Sequence, residues 1–210
     1  MFLSRLILNP MSRRVQTELA DLYELHRTLM RAFPDDLDPA TERILFRVDT
    51  DRRSGVPTVL VQSLTHPDWS AVAAIPGYLL TTPPEVENPA CKPYDPRAAR
   101  GQLLRFRLRA NPTFRRAGKR LAWLREEDQI AWLARKADGS GFRIISVTVI
   151  PEGFQDAVRD RTGDKMRHFA VRFDGLLQVT DPTRFLETLR RGIGPAKAFG
   201  FGLLSVAPAR

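Results

Sequence analysis

The chain has 210 residues, of which 43% are hydrophobic and 27% charged, a globular composition that excludes wholesale disorder. Its single cysteine, Cys91, excludes an internal disulfide and a zinc site built from several cysteines. Lysine and arginine number 33 against 24 acidic residues, and this formal charge of +9 points to a polyanionic partner.

In the first half of the chain, apolar alternation and turn signals predict elements in the order βαββαβ. The predicted elements are a strand over 2–9, helices over 13–19 and 21–33, strands over 43–49 and 57–64, a short helix after Pro67 and a short strand over 78–80. We therefore expect an N-terminal ferredoxin-like domain over residues 1–80. Residues 81–100 contain five prolines, which predicts a linker.

The second half, residues 101–210, repeats this order and is predicted to be a C-terminal ferredoxin-like domain. We expect strands over 103–110, 142–149, 168–173 and 202–206, and helices over 125–136 and 183–191. The motif Asn-Pro-x-x-Arg-Arg ends the first strand of each half, at 9–14 and at 111–116, which favours a duplicated unit. The predicted fold class is α+β, with two βαββαβ units in tandem.

The positive charge is concentrated in one segment. Residues 97–125 contain ten basic residues and no acidic one, which leaves the rest of the chain almost neutral. A concentrated cationic surface is typical of proteins that bind nucleic acid, although a solvated basic face is the alternative. The apolar run at residues 6–8 is too short for a membrane span or a signal peptide, so we expect no membrane partner and a cytoplasmic location.

Within this segment, Arg105, Arg107 and Arg109 alternate with apolar residues, so their guanidinium groups should share the sheet face opposite the core. Arginine grips phosphate with two hydrogen bonds, which suits these positions to a nucleic-acid backbone; charges that protect an edge strand are the alternative. The run from Arg115 to Arg120 predicts a loop or hairpin that turns at Gly118 and could enter a helix groove. Its cationic residues are Arg115, Arg116, Lys119 and Arg120.

A glycine-rich loop occupies residues 190–202. Its glycines follow a helix and precede a strand, the reverse of a dinucleotide-binding fingerprint, and a Gly-Lys-Ser/Thr sequence is absent. A flexible backbone flanked by cations suits a nucleic-acid backbone, while a turn-rich connection without a ligand is the alternative. The residues expected to contact RNA are Arg190, Arg191, Gly192, Gly194 and Lys197.

The helix predicted over 21–33 carries the candidate catalytic residues. At 100° per residue, Leu22, Leu25, Leu29 and Phe33 form the core stripe, and His26 lies on its margin. Histidine can both take and give a proton near neutral pH, although a structural role for a boundary histidine is the alternative. Three further side chains lie beside it on the helix surface, namely Tyr23, Arg27 and Arg31. The histidines lack metal-ligand spacing, so we expect no metal and no cofactor.

Several segments together resemble the CasE endoribonucleases of type I-E CRISPR systems. They are Phe2 to Pro10, Tyr23 to Leu29, Arg105 to Pro112, Gly118 to Arg120 and Gly192 to Leu204. The resemblance implies two ferredoxin-like domains of the RAMP type. It also implies cleavage of CRISPR precursor RNA in its repeat hairpins, after which the enzyme stays bound as a subunit of the Cascade complex.

The resemblance further implies a metal-independent reaction in which the 2′-OH attacks the adjacent phosphate and leaves a 2′,3′-cyclic phosphate and a 5′-OH. His26 is then a proton-transfer group and Tyr23 its partner, with the choice of base and acid open. Arg31 stands where some relatives carry lysine, and we give it an electrostatic role because guanidinium does not exchange protons. Arg27 is expected to contact RNA and can share that role. A non-catalytic subunit that binds RNA hairpins remains the alternative, and a protein that binds some other anionic surface is a third possibility.

Overall fold

The structure is a computed structural model that describes residues 1–38, 41–158 and 165–209, with the backbone alone for 156–158 and 165–166. The chain divides into two compact units. The described part of the first is residues 1–38, 41–95 and 198–200 with the backbone of 156–158 and 165–166, and the second contains Pro96–Gln155, Arg167–Lys197 and the segment from Phe201 onward.

The first unit is a four-stranded antiparallel sheet with helices. Its elements are β1 (Phe2–Ile7), α1 (Arg13–Ala20), α2 (Leu22–Met30), β2 (Leu45–Thr50), β3 (Pro57–Ser63), α3 (Ser70–Ala73) and β4 (Ala90–Pro93). The strand order β2-β3-β1-β4 places β3 between β1 and β2, which is the ferredoxin-like arrangement. Apolar residues of the strands, among them Leu6, Phe46 and Val61, form one buried core with Leu25 and Leu29 of α2.

The fourth strand of this sheet lies later in the chain than the sequence predicts. In the stretch over 78–80, Leu79 makes only an isolated bridge to Leu8, and the side-chain amide of Asn88 donates to the carbonyls of Ile7 and Leu80. Residues Ala90–Pro93, inside the stretch expected to be a linker, pair with β1 instead. The proline at the end of β4 is compatible with this position because an edge strand tolerates a missing N–H.

The second unit repeats the arrangement with an inserted hairpin. Its elements are β5 (Leu103–Ala110), β6 (Thr113–Arg116), β7 (Lys119–Ala122), α4 (Glu126–Asp138), β8 (Phe142–Val158), β9 (Lys165–Val179), α5 (Pro182–Arg191) and β10 (Leu204–Pro208). The strand order β10-β5-β9-β8 is again ferredoxin-like, so the predicted tandem α+β fold is confirmed. Strands β8 and β9 are longer than predicted, and Phe106, Phe173, Trp132 and Phe185 are in the core between this sheet and its helices.

Candidate functional site

Helix α2 places the candidate catalytic residues at the edge of the first core. The helix begins after Asp21, whose carboxylate accepts a hydrogen bond from the backbone N–H of Tyr23 at 3.0 Å. Leu22, Leu25 and Leu29 are buried, as the predicted core stripe requires. His26 and Tyr23 are half-buried beside it, so the predicted position of His26 on the stripe's margin is confirmed.

Two phenylalanines flank the Tyr23 and His26 rings. The imidazole lies parallel to the ring of Phe46, with centroids 6.0 Å apart and an interplanar angle of 10°. The phenol of Tyr23 stacks on Phe199 at 5.6 Å, and Tyr23 and His26 are themselves 6.2 Å apart. Sequence reasoning missed both phenylalanines, because Phe46 reads as an ordinary core residue of a strand and Phe199 lies inside the glycine-rich loop.

Burial favours the neutral form of the imidazole. It lowers the pKa of His26 below the ordinary value for histidine, because a charged ring is poorly solvated there. The Nδ1 atom is buried and has no hydrogen-bond partner among the described residues. At neutral pH the ring is therefore neutral and can accept a proton.

The two arginines of this region differ in their surroundings. Arg27 is exposed and its Nη1 donates to both carboxylate oxygens of Glu24, at 3.0 and 3.2 Å. Arg31 is exposed and follows the last turn of α2 as its C-cap residue. Both guanidinium groups therefore lie at the surface near the end of the helix that carries His26.

The three strand arginines of β5 lie on one face of the sheet, but they are not equally accessible. Arg105 is exposed, whereas Arg107 forms two hydrogen bonds to the carboxylate of Asp174, at 2.6 and 3.1 Å. The Arg109 side chain is only 6% exposed, and its Nε donates to Glu152 at 2.6 Å. Arg107 and Arg109 can thus reach a phosphate only by leaving these carboxylates.

Arg109 also contacts the end of the glycine-rich loop. Its guanidinium lies 4.7 Å from the centroid of the Phe201 ring, and its carbonyl accepts the N–H of Gly202 at 2.8 Å. The acidic partner Glu152 is 43 residues away in sequence. Because residues 97–125 contain no acidic residue, the sequence around Arg109 gave no sign of its ion pair with Glu152.

The predicted hairpin is present as β6 and β7. Its two-residue turn has positive φ at Ala117 (48°) and Gly118 (75°), which is the type I′ geometry that matches strand twist. Arg115 pairs with Arg120 and Arg116 with Lys119 in the ladder, and all four side chains are exposed. The hairpin therefore presents four cations on a thin finger.

A pocket of about 330 Å³ lies at the base of the hairpin, lined by Arg115, Arg120, Lys136, Trp132, Thr113, Phe114, Gly194 and Pro195. It brings the hairpin and the first part of the glycine-rich loop together within the second unit. Nearby, Nδ1 of His168 lies 3.0 Å from the Asn111 amide. Burial, and then the charge of Arg120, lower the pKa of His168.

The glycine-rich loop is compact. Gly194 has a φ of 83°, and a Cβ there would lie 3.1 Å from the Trp132 ring, so a larger residue would displace the loop. Lys197 Nζ donates to the carbonyl of Gly194 at 2.9 Å. Gly192 caps α5, while Arg190 and Arg191 are exposed, the latter 3.0 Å from Glu187.

The described residues hold no group of three or more His, Cys, Asp or Glu side chains placed to bind a metal ion. None of the helices in the described part of the chain has the length and hydropathy needed to cross a lipid bilayer.

Comparison with known proteins covers nearly the whole chain. A family model described as CRISPR associated protein matches residues 1–208. The CRISPR-associated endoribonuclease Cse3 of Thermus thermophilus is 44% identical over 220 residues, which cover 99% of this chain and 100% of that protein. The CRISPR system Cascade subunit CasE of Escherichia coli is 35% identical over 201 residues, covering 90% and 92%. The structure of Thermus thermophilus Cse3 bound to an RNA representing a pre-cleavage complex matches with a TM-score of 0.84 and 43% identity, over 99% of this chain and 98% of that one.

Proposed function

The chain belongs to the family of CRISPR-associated proteins, and on this premise we propose that it is an endoribonuclease that cleaves CRISPR precursor RNA in its repeat hairpins. The observation that carries the proposal is that Tyr23 and His26 lie next to each other on α2, both half-buried at the edge of the core of the first unit. Because burial lowers the pKa of His26, its imidazole is neutral at physiological pH. The names of the two curated relatives support RNA cleavage and assembly with a Cascade complex.

The reaction that these side chains can support needs no metal. The 2′-OH attacks the adjacent phosphorus and gives up its proton, the bond from phosphorus to the 5′ oxygen breaks, and that oxygen takes a proton. The products are a 2′,3′-cyclic phosphate and a 5′-OH. Neutral His26 can accept the first proton through Nε2, since Nδ1 is buried.

Tyr23 and the surface arginines complete the proposed site. The Tyr23 hydroxyl can hydrogen-bond the 2′-OH or a phosphate oxygen, and His26, once protonated, can return a proton to the leaving oxygen. Arg31 and Arg27 supply positive charge where the phosphorane becomes more negative, and neither exchanges a proton.

We assign RNA binding chiefly to the hairpin. Duplex RNA has a deep, narrow major groove and is recognised mainly through its shape and backbone, which suits a thin cationic finger. Arg115, Arg116, Lys119 and Arg120 are its contacts in this proposal, joined by Arg105 of β5. The residues Arg190, Arg191, Gly192, Gly194 and Lys197 of the glycine-rich loop are proposed as further backbone contacts.

After cleavage the protein is proposed to stay on the hairpin and to join other Cascade subunits. The cytoplasm is the proposed location, because the substrate is a transcript. We also propose two domains, as in the sequence analysis. The N-terminal domain then extends to Asp95 and includes most of the stretch that was expected to be a linker.

The decisive experiment incubates the protein with the repeat RNA in the presence of excess EDTA. We expect cleavage, its loss when the scissile nucleotide is 2′-deoxy, and its loss in His26→Ala while hairpin affinity is kept. The matched control is His66→Ala, which removes an exposed histidine. A stable complex without product would identify a non-catalytic RNA-binding subunit, and a strict need for a divalent ion would refute the mechanism.

A further inference from the structure

We propose that Phe46 and Phe199 act as positioning residues that clamp the Tyr23 and His26 rings in the geometry for proton transfer. This inference rests on the proposed function, and all four rings belong to the first unit. The stacked contacts run from Phe199 to Tyr23 and from Phe46 to His26, so each reacting ring has a phenylalanine against it.

The clamp is built from two segments that are remote in sequence. Phe46 is fully buried in β2, and Phe199 is 7% exposed. Gly200 connects them: a Cβ at this residue, whose φ is 73°, would lie 3.1 Å from Cε2 of Phe46 and 3.5 Å from Leu22. Glycine therefore lets the loop lie close against Phe46 while Phe199, the preceding residue, stacks on the Tyr23 phenol.

The clamp restricts the imidazole in two ways. A ring packed nearly parallel to a buried partner, with centroids 6.0 Å apart, cannot tilt freely toward that partner, and the partner shields part of this side of His26 from water. Proton transfer is sensitive to such placement, since a displacement of about 1 Å can cost about a hundredfold in rate. Phe46 is thus expected to control both the orientation of His26 and the pH at which it titrates.

Charged groups do not account for this titration. Within the first unit, the charged side chains on α2 and the elements packed against it form ion pairs with one another: Glu24 with Arg27, Arg47 with Asp49, and Arg14 with Glu18. Arg31, at the C-cap of α2, is exposed to solvent. Tyr23 is the titratable side chain beside the imidazole. Arg47 and Phe46 point to opposite faces of β2 because they are adjacent in a strand.

The test is a pH titration of His26 by NMR in the RNA-free protein, with its resonance identified by its loss in His26→Ala. We expect Phe46→Leu to raise the midpoint toward the ordinary histidine value, because water gains access to the ring. The matched control is Phe33→Leu, the same substitution in the same core, where the ring packs against Trp69 and should leave the midpoint unchanged. An unchanged midpoint in Phe46→Leu, or equal shifts in both variants, would overturn the proposal.

Single-turnover cleavage at saturating RNA gives the second readout. Phe46→Leu and Phe199→Leu should each slow cleavage about tenfold or more with little change in RNA affinity, since misalignment acts on the chemical step. Phe199→Leu should keep the wild-type midpoint of His26, because Phe199 contacts Tyr23. If Phe46→Leu does not fold, Phe46→Met takes its place. If Phe46→Leu raises the midpoint of His26 but the wild-type protein cuts no RNA, the proposed function is refuted, whereas the control of His26 by Phe46 is supported.

Discussion

Replacing Arg109 should damage the fold, whereas replacing Arg105 on the same strand should damage RNA binding. The two side chains lie on the same face of β5, but Arg109 is 6% exposed and paired with Glu152, while Arg105 is exposed. Removing one partner of a buried ion pair costs about 3–5 kcal/mol, because the other charge stays buried without compensation.

For Arg109→Ala the loss should be smaller than that range, because the pair is not fully buried. Glu152 is 25% exposed and has a second arginine, Arg172, at 3.8 Å, so water and Arg172 offset part of the loss. We expect a loss of about 2–3 kcal/mol in the free energy of unfolding, and for a unit of this size a melting temperature lower by roughly 10 °C or more. Arg105→Ala should change stability by no more than about 0.5 kcal/mol.

Thermal unfolding and RNA binding measured over a series of salt concentrations separate the two effects. Arg105→Ala should weaken hairpin binding and reduce the slope of log affinity against log salt by about one, because the proposed phosphate contact of Arg105 would be lost. If Arg109→Ala melts like the wild type and instead loses one unit of salt slope, Arg109 is an RNA contact and the reasoning is wrong.

Three further predictions concern the first unit. Gly200→Ala should cost about 1–2 kcal/mol, because its backbone is left-handed and the new Cβ crowds Phe46, and it should also slow cleavage; wild-type values in both assays would refute this. Tyr78→Phe should cost about 1.5–3 kcal/mol in chemical denaturation, because the phenol donates a hydrogen bond to the buried carboxylate of Glu18; a neutral effect would contradict it. Because burial lowers the pKa of His26, stability should fall as the pH drops below about 6.5, the unfolded-state value, and fall less steeply in His26→Gln; parallel pH profiles would argue against it.

Much of the architecture follows from local sequence patterns. The alternation of Leu104, Phe106 and Leu108 with arginines predicted β5 over the residues that it occupies, and the leucine stripe of α2 predicted which side of that helix is buried. Gly118 marked the hairpin turn. Such features can be predicted because the spacing of apolar residues along a helix or strand, and the geometry of a turn, depend on residues that are close in sequence.

Other features depend on which distant segments meet. Ala90–Pro93 became the fourth strand through pairing with β1, although the prolines of residues 81–100 favoured a linker. Asp174 lies 67 residues from Arg107 and Glu152 lies 43 from Arg109, so the arginine pattern alone could not separate exposed from buried charges.

The candidate site shows the same division. The sequence by itself determined that His26 and Tyr23 share the margin of an amphipathic helix, because helical periodicity sets their relative positions. Only the tertiary structure decided that Phe46 and Phe199 lie against them and that burial keeps the imidazole neutral. Solvation and stacking arise from segments that the folded chain brings together, and no local pattern encodes them.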